Sequence, residues 1–185
     1  MARDRAGTRE AYAAKTRAEI ASLAERGVLF AGNAFSSVTL VKGEPEADGA
    51  SPFSGPDGRA LRDALMALGY APEDWSALLS CGADGSPLAD DLFLTAIMAL
   101  DPATLILCDE AAADLARNVF AEDLAQLADF DAAMLAPGTL TVVRGIRTLN
   151  LGGFAAALGD NREKQIMWRR LKTLPPLGEP YSWKP

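Results

Sequence analysis

Histidine is missing from all 185 residues, and only two cysteines are present. The first absence removes the commonest general acid/base and the commonest metal ligand together. The second excludes a CxxC motif and a disulfide framework, and Cys81 and Cys108 are too few to build a zinc site. Each ends an apolar run and reads as a buried reduced thiol, so the chain is expected to be cytoplasmic and free of disulfides. Long apolar stretches are also lacking, which leaves nothing to span a bilayer, and "MARDRAGTREAYAAK" contains no apolar signal-peptide core. A positive overall charge is absent too. The net charge of −7 disfavours loose, non-specific binding to nucleic acid.

What is present suits one globular domain: 49% hydrophobic residues in a chain of ordinary domain length. Charge is unevenly spread. From Arg144 onward eight Lys/Arg stand against three Asp/Glu, whereas residues 1–143 hold ten against twenty-two. Such a split fits either solvated helix faces or a positive face near a site.

Apolar periodicity predicts alternating strands and helices. A first helix runs from a Thr8 cap to Gly27, and "SSVTLV" reads as a strand. "GRALRDALMALG" lines up Leu61, Leu65 and Leu68 on a helix face closed by Gly69. "WSALLSC" is a second strand, and a helix starting at Pro87 follows it. "ATLILC" is the clearest strand, with Asp109 placed to cap the helix after it. "GTLTVVRG" and "IRTLNL" are either one strand and a turn or a hairpin. A helix carrying Met167, Leu171 and Leu174 closes the fold. The organisation expected is an N-terminal helix over 1–27, one α/β domain over 28–174 and a Pro-rich tail over 175–185. Alternation of this kind implies a mainly parallel sheet with its strand C-termini on one edge, where α/β proteins bind ligands. Gly43–Glu44, Ser80–Cys81, Cys108–Asp109 and Asn150 all arrive at that edge.

One stretch is more specific. "LVKGEPEADGASPFSGPDGRALRDALMALG" keeps Gly43, Glu44, Pro52, Phe53, Gly55, Gly58 and Leu61 in the order of the first motif of the uracil-DNA glycosylase superfamily. It resembles most the bacterial branch that carries an iron–sulfur cluster. "LTAIMALDPATLILCDEAAADLA" and "REKQIMWRRLKTL" are similar to that family's later segments, so the resemblance covers roughly residues 28–174. It implies a three-layer α/β/α sandwich around a central, mainly parallel four-stranded sheet. It also implies an enzyme that flips uracil out of DNA and hydrolyses the glycosidic bond. In that family the first motif positions water, its Phe stacks on the base, a strand-end Asn reads the base edge, and a late His stabilises the departing anion.

The departures bear on chemistry. Between Glu44 and Pro52 the loop holds only "PEADGAS". No Asn lies between Asn33 and Asn118, so Ser80 or Cys81 stands near the strand-end position. Asn150–Leu151 fall roughly where the family has His-Pro, and four cluster thiolates do not exist. The candidate site is therefore Glu44 and Asn150 as remnants of the catalytic pair, with Gly43, Phe53 and Ser80 around a base. Arg162, Lys164 and Arg169 are the candidate phosphate contacts, and Arg162, Arg169 and Lys172 share a helical face. Each has a plainer alternative: Phe53 as a core plug, Asn150 as a turn residue, Glu44 and Asp48 as a solvated acidic turn, the basic residues as a solvent face. The expected function is nucleobase or DNA binding with uracil excision absent or much reduced. The alternatives are a non-catalytic nucleotide-binding protein or a scaffold with a vestigial pocket. No metal, cofactor, iron–sulfur cluster or membrane is expected as a partner.

Overall fold

The computed structural model describes residues 2–175, the side chains of residues 2–9 and of Asp48 excepted. Helix α1 (Ala2–Glu25) leads into strands β1 (Phe30–Gly32) and β2 (Val38–Lys42). Helix α2 (Pro56–Ala67), β3 (Ser76–Leu79), α3 (Asp90–Leu100), β4 (Thr104–Leu107) and α4 (Glu110–Val119) follow. The short helices α5 (Ala121–Leu124) and α6 (Phe130–Ala133) precede β5 (Leu140–Val143) and β6 (Ile146–Asn150), and α7 (Phe154–Ala157) and α8 (Asn161–Leu171) end the described chain.

The sheet has six strands in the order β1-β3-β2-β4-β6-β5. Its inner strands β3, β2, β4 and β6 are parallel, while β1 and β5 pair antiparallel at the edges. This corrects the expectation of a four-stranded sheet. The extra strands are short antiparallel edges, one of them made by a hairpin. Arg144 and Gly145, both at positive φ, form the two-residue turn that folds β5 back on β6.

Successive residues of the inner strands point to opposite faces. On one face Val41, Leu78, Leu105 and Leu107 pack with Leu23 of α1, Phe93 and Ile97 of α3 and Leu115 of α4. On the other Leu40, Ala77, Ile106 and Leu149 pack with Leu61 and Leu65 of α2, Phe154 of α7, and Met167 and Leu171 of α8. Helices thus cover both faces, and the four inner strands lie buried apart from the half-buried Arg147 of β6, as parallel strands do.

Local signals set several helix ends. Gly27 and Gly69, both at φ +91, close α1 and α2 with the paired carbonyl-directed bonds of a Schellman motif. Asp109 caps α4 by accepting from the Ala112 amide. Two expectations are displaced. Thr8 lies inside α1 rather than at its start, and its side chain is among those not described. Pro87 pairs with Cys81 in an isolated bridge, so α3 begins only at Asp90. Residues 176–185 of the Pro-rich tail lie outside the described residues.

Chain order and sheet order together define a switch point. From β2 the chain goes to β3 on one side by way of α2, then returns past β2 to β4 by way of α3 on the other face. A crevice at the carboxyl ends of β2 and its neighbours is where such a topology leaves room for a ligand.

Candidate functional site

At that crevice the backbone comes first. The Gly43 amide, directly after β2, donates to both carboxylate oxygens of Asp109, at 3.0 and 2.8 Å. Oδ1 of Asp109 also accepts from the Ala112 amide at 2.9 Å. One carboxylate therefore ties the β2 loop to the first turn of α4. A side chain on Gly43 would collide with Ala111 Cβ and press on Ser80 Oγ, so the close approach of α4 requires glycine here. Ser80 is fixed through its backbone, donating to the Lys42 carbonyl and accepting from Leu88, both at 2.9 Å. Beside these groups lies a cavity of about 250 Å³, with Gly43, Ser80, Cys81, Ala111, Asp114 and Asn118 in its wall.

Gly43 and Ser80 are thus the two predicted base-contacting residues that the structure brings to one cavity. Phe53 lies elsewhere. It is fully buried on the α2 face of the sheet, with Val38, Leu40 and Leu61 in the same core. Its backbone is left-handed, at φ 57. Arg62 holds its carbonyl at 2.9 Å, and a side chain on Gly58 would overlap that carbonyl. The motif glycine at 58 serves this packing, and the ring presents no open face to a ligand.

Beneath Phe53 sits a group that the sequence reading missed. The Lys42 ammonium lies 4.8 Å from the ring centroid and pairs with Glu46 at 2.6 Å and Asp57 at 2.8 Å. Both Lys42 and Asp57 are buried. Burial alone would lower the lysine's pKa, but hydrogen bonds and charge from Asp57 and Glu46 outweigh it and hold the ammonium above its ordinary range. The available signal was a lysine closing an otherwise apolar strand, with acids following in the next loop.

Asn150 is wholly buried. Its Nδ2 donates to the Leu135 carbonyl at 2.7 Å and its Oδ1 accepts from the Gly152 amide at 2.8 Å. Its own carbonyl accepts from Gly138 at 2.7 Å. The side chain's donor and acceptor sides are both spent on the turn beside β6. Glu44 is exposed on the loop and is not part of the cavity wall. Arg162, Lys164, Arg169 and Lys172 are exposed on or just after α8, apart from the crevice lining, with Lys172 5.8 Å from the Trp168 ring. Arg170, on the same helix, donates to the Leu151 carbonyl.

Neither thiol is poised for chemistry. Burial, then the nearby Asp109, pushes the thiols of Cys81 and Cys108 above the ordinary cysteine range, so both stay protonated at neutral pH. Among the described residues no group of three His, Cys, Asp or Glu is placed to hold a metal, and no helix is long and apolar enough to cross a membrane.

No family model matches this chain, and no curated protein matches it.

Proposed function

We propose that the chain is a divergent, non-excising relative of the uracil-DNA glycosylase superfamily, and that its strand-end crevice binds a small planar ligand of nucleobase size. The observation that carries this reading is the division of the motif residues. Gly43 and Ser80 line a cavity at the switch point, whereas Phe53 and Asn150 are consumed by packing and internal hydrogen bonds. A three-layer sandwich of the superfamily type agrees with helices on both sheet faces. For excision, the cavity wall holds no stacking aromatic, the Asn150 amide is spent on internal bonds, and no histidine exists to stabilise a leaving anion. Losing one preorganised donor of this kind typically costs ~10²–10³ in rate. A cytoplasmic location agrees with two buried, reduced thiols. The test has two arms. Pure protein is incubated with uracil-containing single- and double-stranded oligonucleotides, and its melting temperature is measured with free nucleobases. No excision and an upward shift with a base are expected; turnover comparable to a working glycosylase would overturn the proposal.

DNA as a partner has separate support. Lys164, Trp168 and Lys172 follow one another at helical spacing along the exposed side of α8, with Arg169 beside them. Cations alternating with an aromatic suit a nucleic-acid strand through phosphate contact and stacking. Oligonucleotide binding that weakens steeply with salt, and that is lost in Lys164→Glu/Lys172→Glu, is expected on this reading.

A further inference from the structure

We infer that the crevice accepts an uncharged or cationic, amine-bearing single ring and rejects phosphorylated ligands, because the fold has placed its own carboxylate on the amides that would hold a phosphate. The inference rests on the crevice being a ligand site, as proposed above.

In open α/β sheets the phosphate-binding groups at a switch point are the loop amides after a strand and the amino end of the next helix. In this chain the Gly43 amide, after β2, and the Ala112 amide in the first turn of α4, after the neighbouring β4, meet beside the crevice, and both are occupied. Asp109 places its two oxygens 3.0 and 2.8 Å from the Gly43 nitrogen and one of them 2.9 Å from the Ala112 nitrogen. An incoming phosphate would have to displace a carboxylate held by three charge-assisted contacts and then lie beside it.

The rest of the wall has no cation to compensate. Its one charged residue is Asp114, with Ser80 and Asn118 as neutral polar neighbours. Arg117, outside the wall, pairs with Asp114 at 2.6 Å and with Glu110, so it offsets only part of their charge and leaves the group net negative. Lys42, at the end of β2, is neutralised by Glu46 and Asp57 next to Phe53. Burial does most to raise the Cys81 thiol, and the charges of Asp109 and Asp84 act in the same direction. Size points the same way. About 250 Å³ is smaller than the ~300–1,000 Å³ of drug-sized ligand sites and suits one ring within the crevice.

Titration calorimetry on the full chain decides it, with cytosine, cytidine 5′-monophosphate and inorganic phosphate as probes. Cytosine is expected to bind, with the monophosphate and phosphate at least tenfold weaker. Asp109→Asn keeps a capping oxygen and removes the charge, and is expected to gain at least tenfold in monophosphate affinity. Asp114→Asn, on the exposed rim, is expected to weaken cytosine. Monophosphate binding as tight as cytosine in the wild type would overturn the inference while leaving the crevice a ligand site. So would a folded Asp109→Asn protein with no gain. If none of the three probes binds, the reading of the crevice as a base-sized site falls, and this inference with it.

Discussion

Phe53 stands directly over Lys42, its ring centroid 4.8 Å from the ammonium, and neither side chain has more than a sliver of surface in water. The resemblance implies an aromatic under a flipped base at this position, and the ring lies in the core instead. Truncating a buried Phe to Ala typically costs ~3–5 kcal/mol. Phe53→Ala is expected to lose stability in that range and to leave cytosine binding by the folded fraction unchanged. Urea unfolding with and without the base checks both. A mild loss of stability together with a loss of binding would show that the ring faces a ligand.

Lys42 carries the next prediction. Removing one partner of a buried ionic cluster typically costs ~3–5 kcal/mol, because the remaining charges stay buried without compensation. Lys42→Met leaves Glu46 and Asp57 facing each other and is expected to be that destabilising. Adding Glu46→Gln and Asp57→Asn to it is expected to recover most of the loss. The pH dependence has a definite sign. The folded pKa of Lys42 is raised, so its stabilisation is complete below the unfolded lysine value of about 10.4 and is lost as pH climbs through the folded value. Buried Cys108 and Tyr70, also raised, add their own alkaline loss from lower pH. At neutral and alkaline pH, where carboxylates stay ionised, subtracting the triple variant's stability curve from the wild type's isolates the lysine. The difference is expected to be flat from about pH 7 to about pH 10 and to fall above that.

Much of this was legible in the sequence, and the failures share a cause. The inner strands β2, β3 and β4 announce themselves as short apolar runs because parallel strands are buried on both faces. The Asp109 cap and the glycine stops at 27 and 69 are local chemistry, readable within a few residues. Strand β1 is three residues long and owes its place to β3, far along the chain, so it leaves no periodicity to read. Over "GTLTVVRG" and "IRTLNL" the hairpin is one of two open alternatives, because its turn uses Arg144 at positive φ, where Asn or Asp would have been the recognisable signal. The site divided on the same line. Gly43 and Ser80 reach the cavity because strand ends determine where they go. The fates of Phe53 and Asn150 were decided by partners such as Lys42 and Leu135, which no local pattern names.

The contact between Gly43 and Ala111 gives a paired test. Gly43→Ala would push α4 away from β2, breaking the alignment of the Gly43 amide on Asp109. Overpacking of this sort typically costs ~1–3 kcal/mol. Ala111→Gly removes the atom in the way. The double variant is expected to recover stability relative to Gly43→Ala, giving a coupling energy of ~0.5–3 kcal/mol in a double-mutant cycle. Additive losses would mean that another neighbour, such as Ser80 Oγ at 3.2 Å from the added carbon, and not Ala111, resists the side chain.

Asn150 supplies the sharpest contrast between a structural and a catalytic role. It sits at the end of β6, where the resemblance places a group that meets the departing base. Its amide instead links the Leu135 carbonyl to the Gly152 amide. Leu135 is itself at φ 45, a left-handed conformation that a leucine holds only when its surroundings impose it. Asn150→Ala would leave a buried acceptor and donor without partners, at ~1–3 kcal/mol for each unsatisfied group. The loss is expected to be local first. Hydrogen exchange should accelerate at the Gly152 amide well before the inner strands respond, since that amide donates to the Asn150 side chain, whereas Gly138 bonds the Asn150 main-chain carbonyl, which the alanine variant keeps. Cytosine affinity should be unchanged, because the side chain does not line the crevice. Unaltered exchange at Gly152, together with a lost base affinity, would return Asn150 to the site and overturn the assignment of the crevice to Gly43 and Ser80.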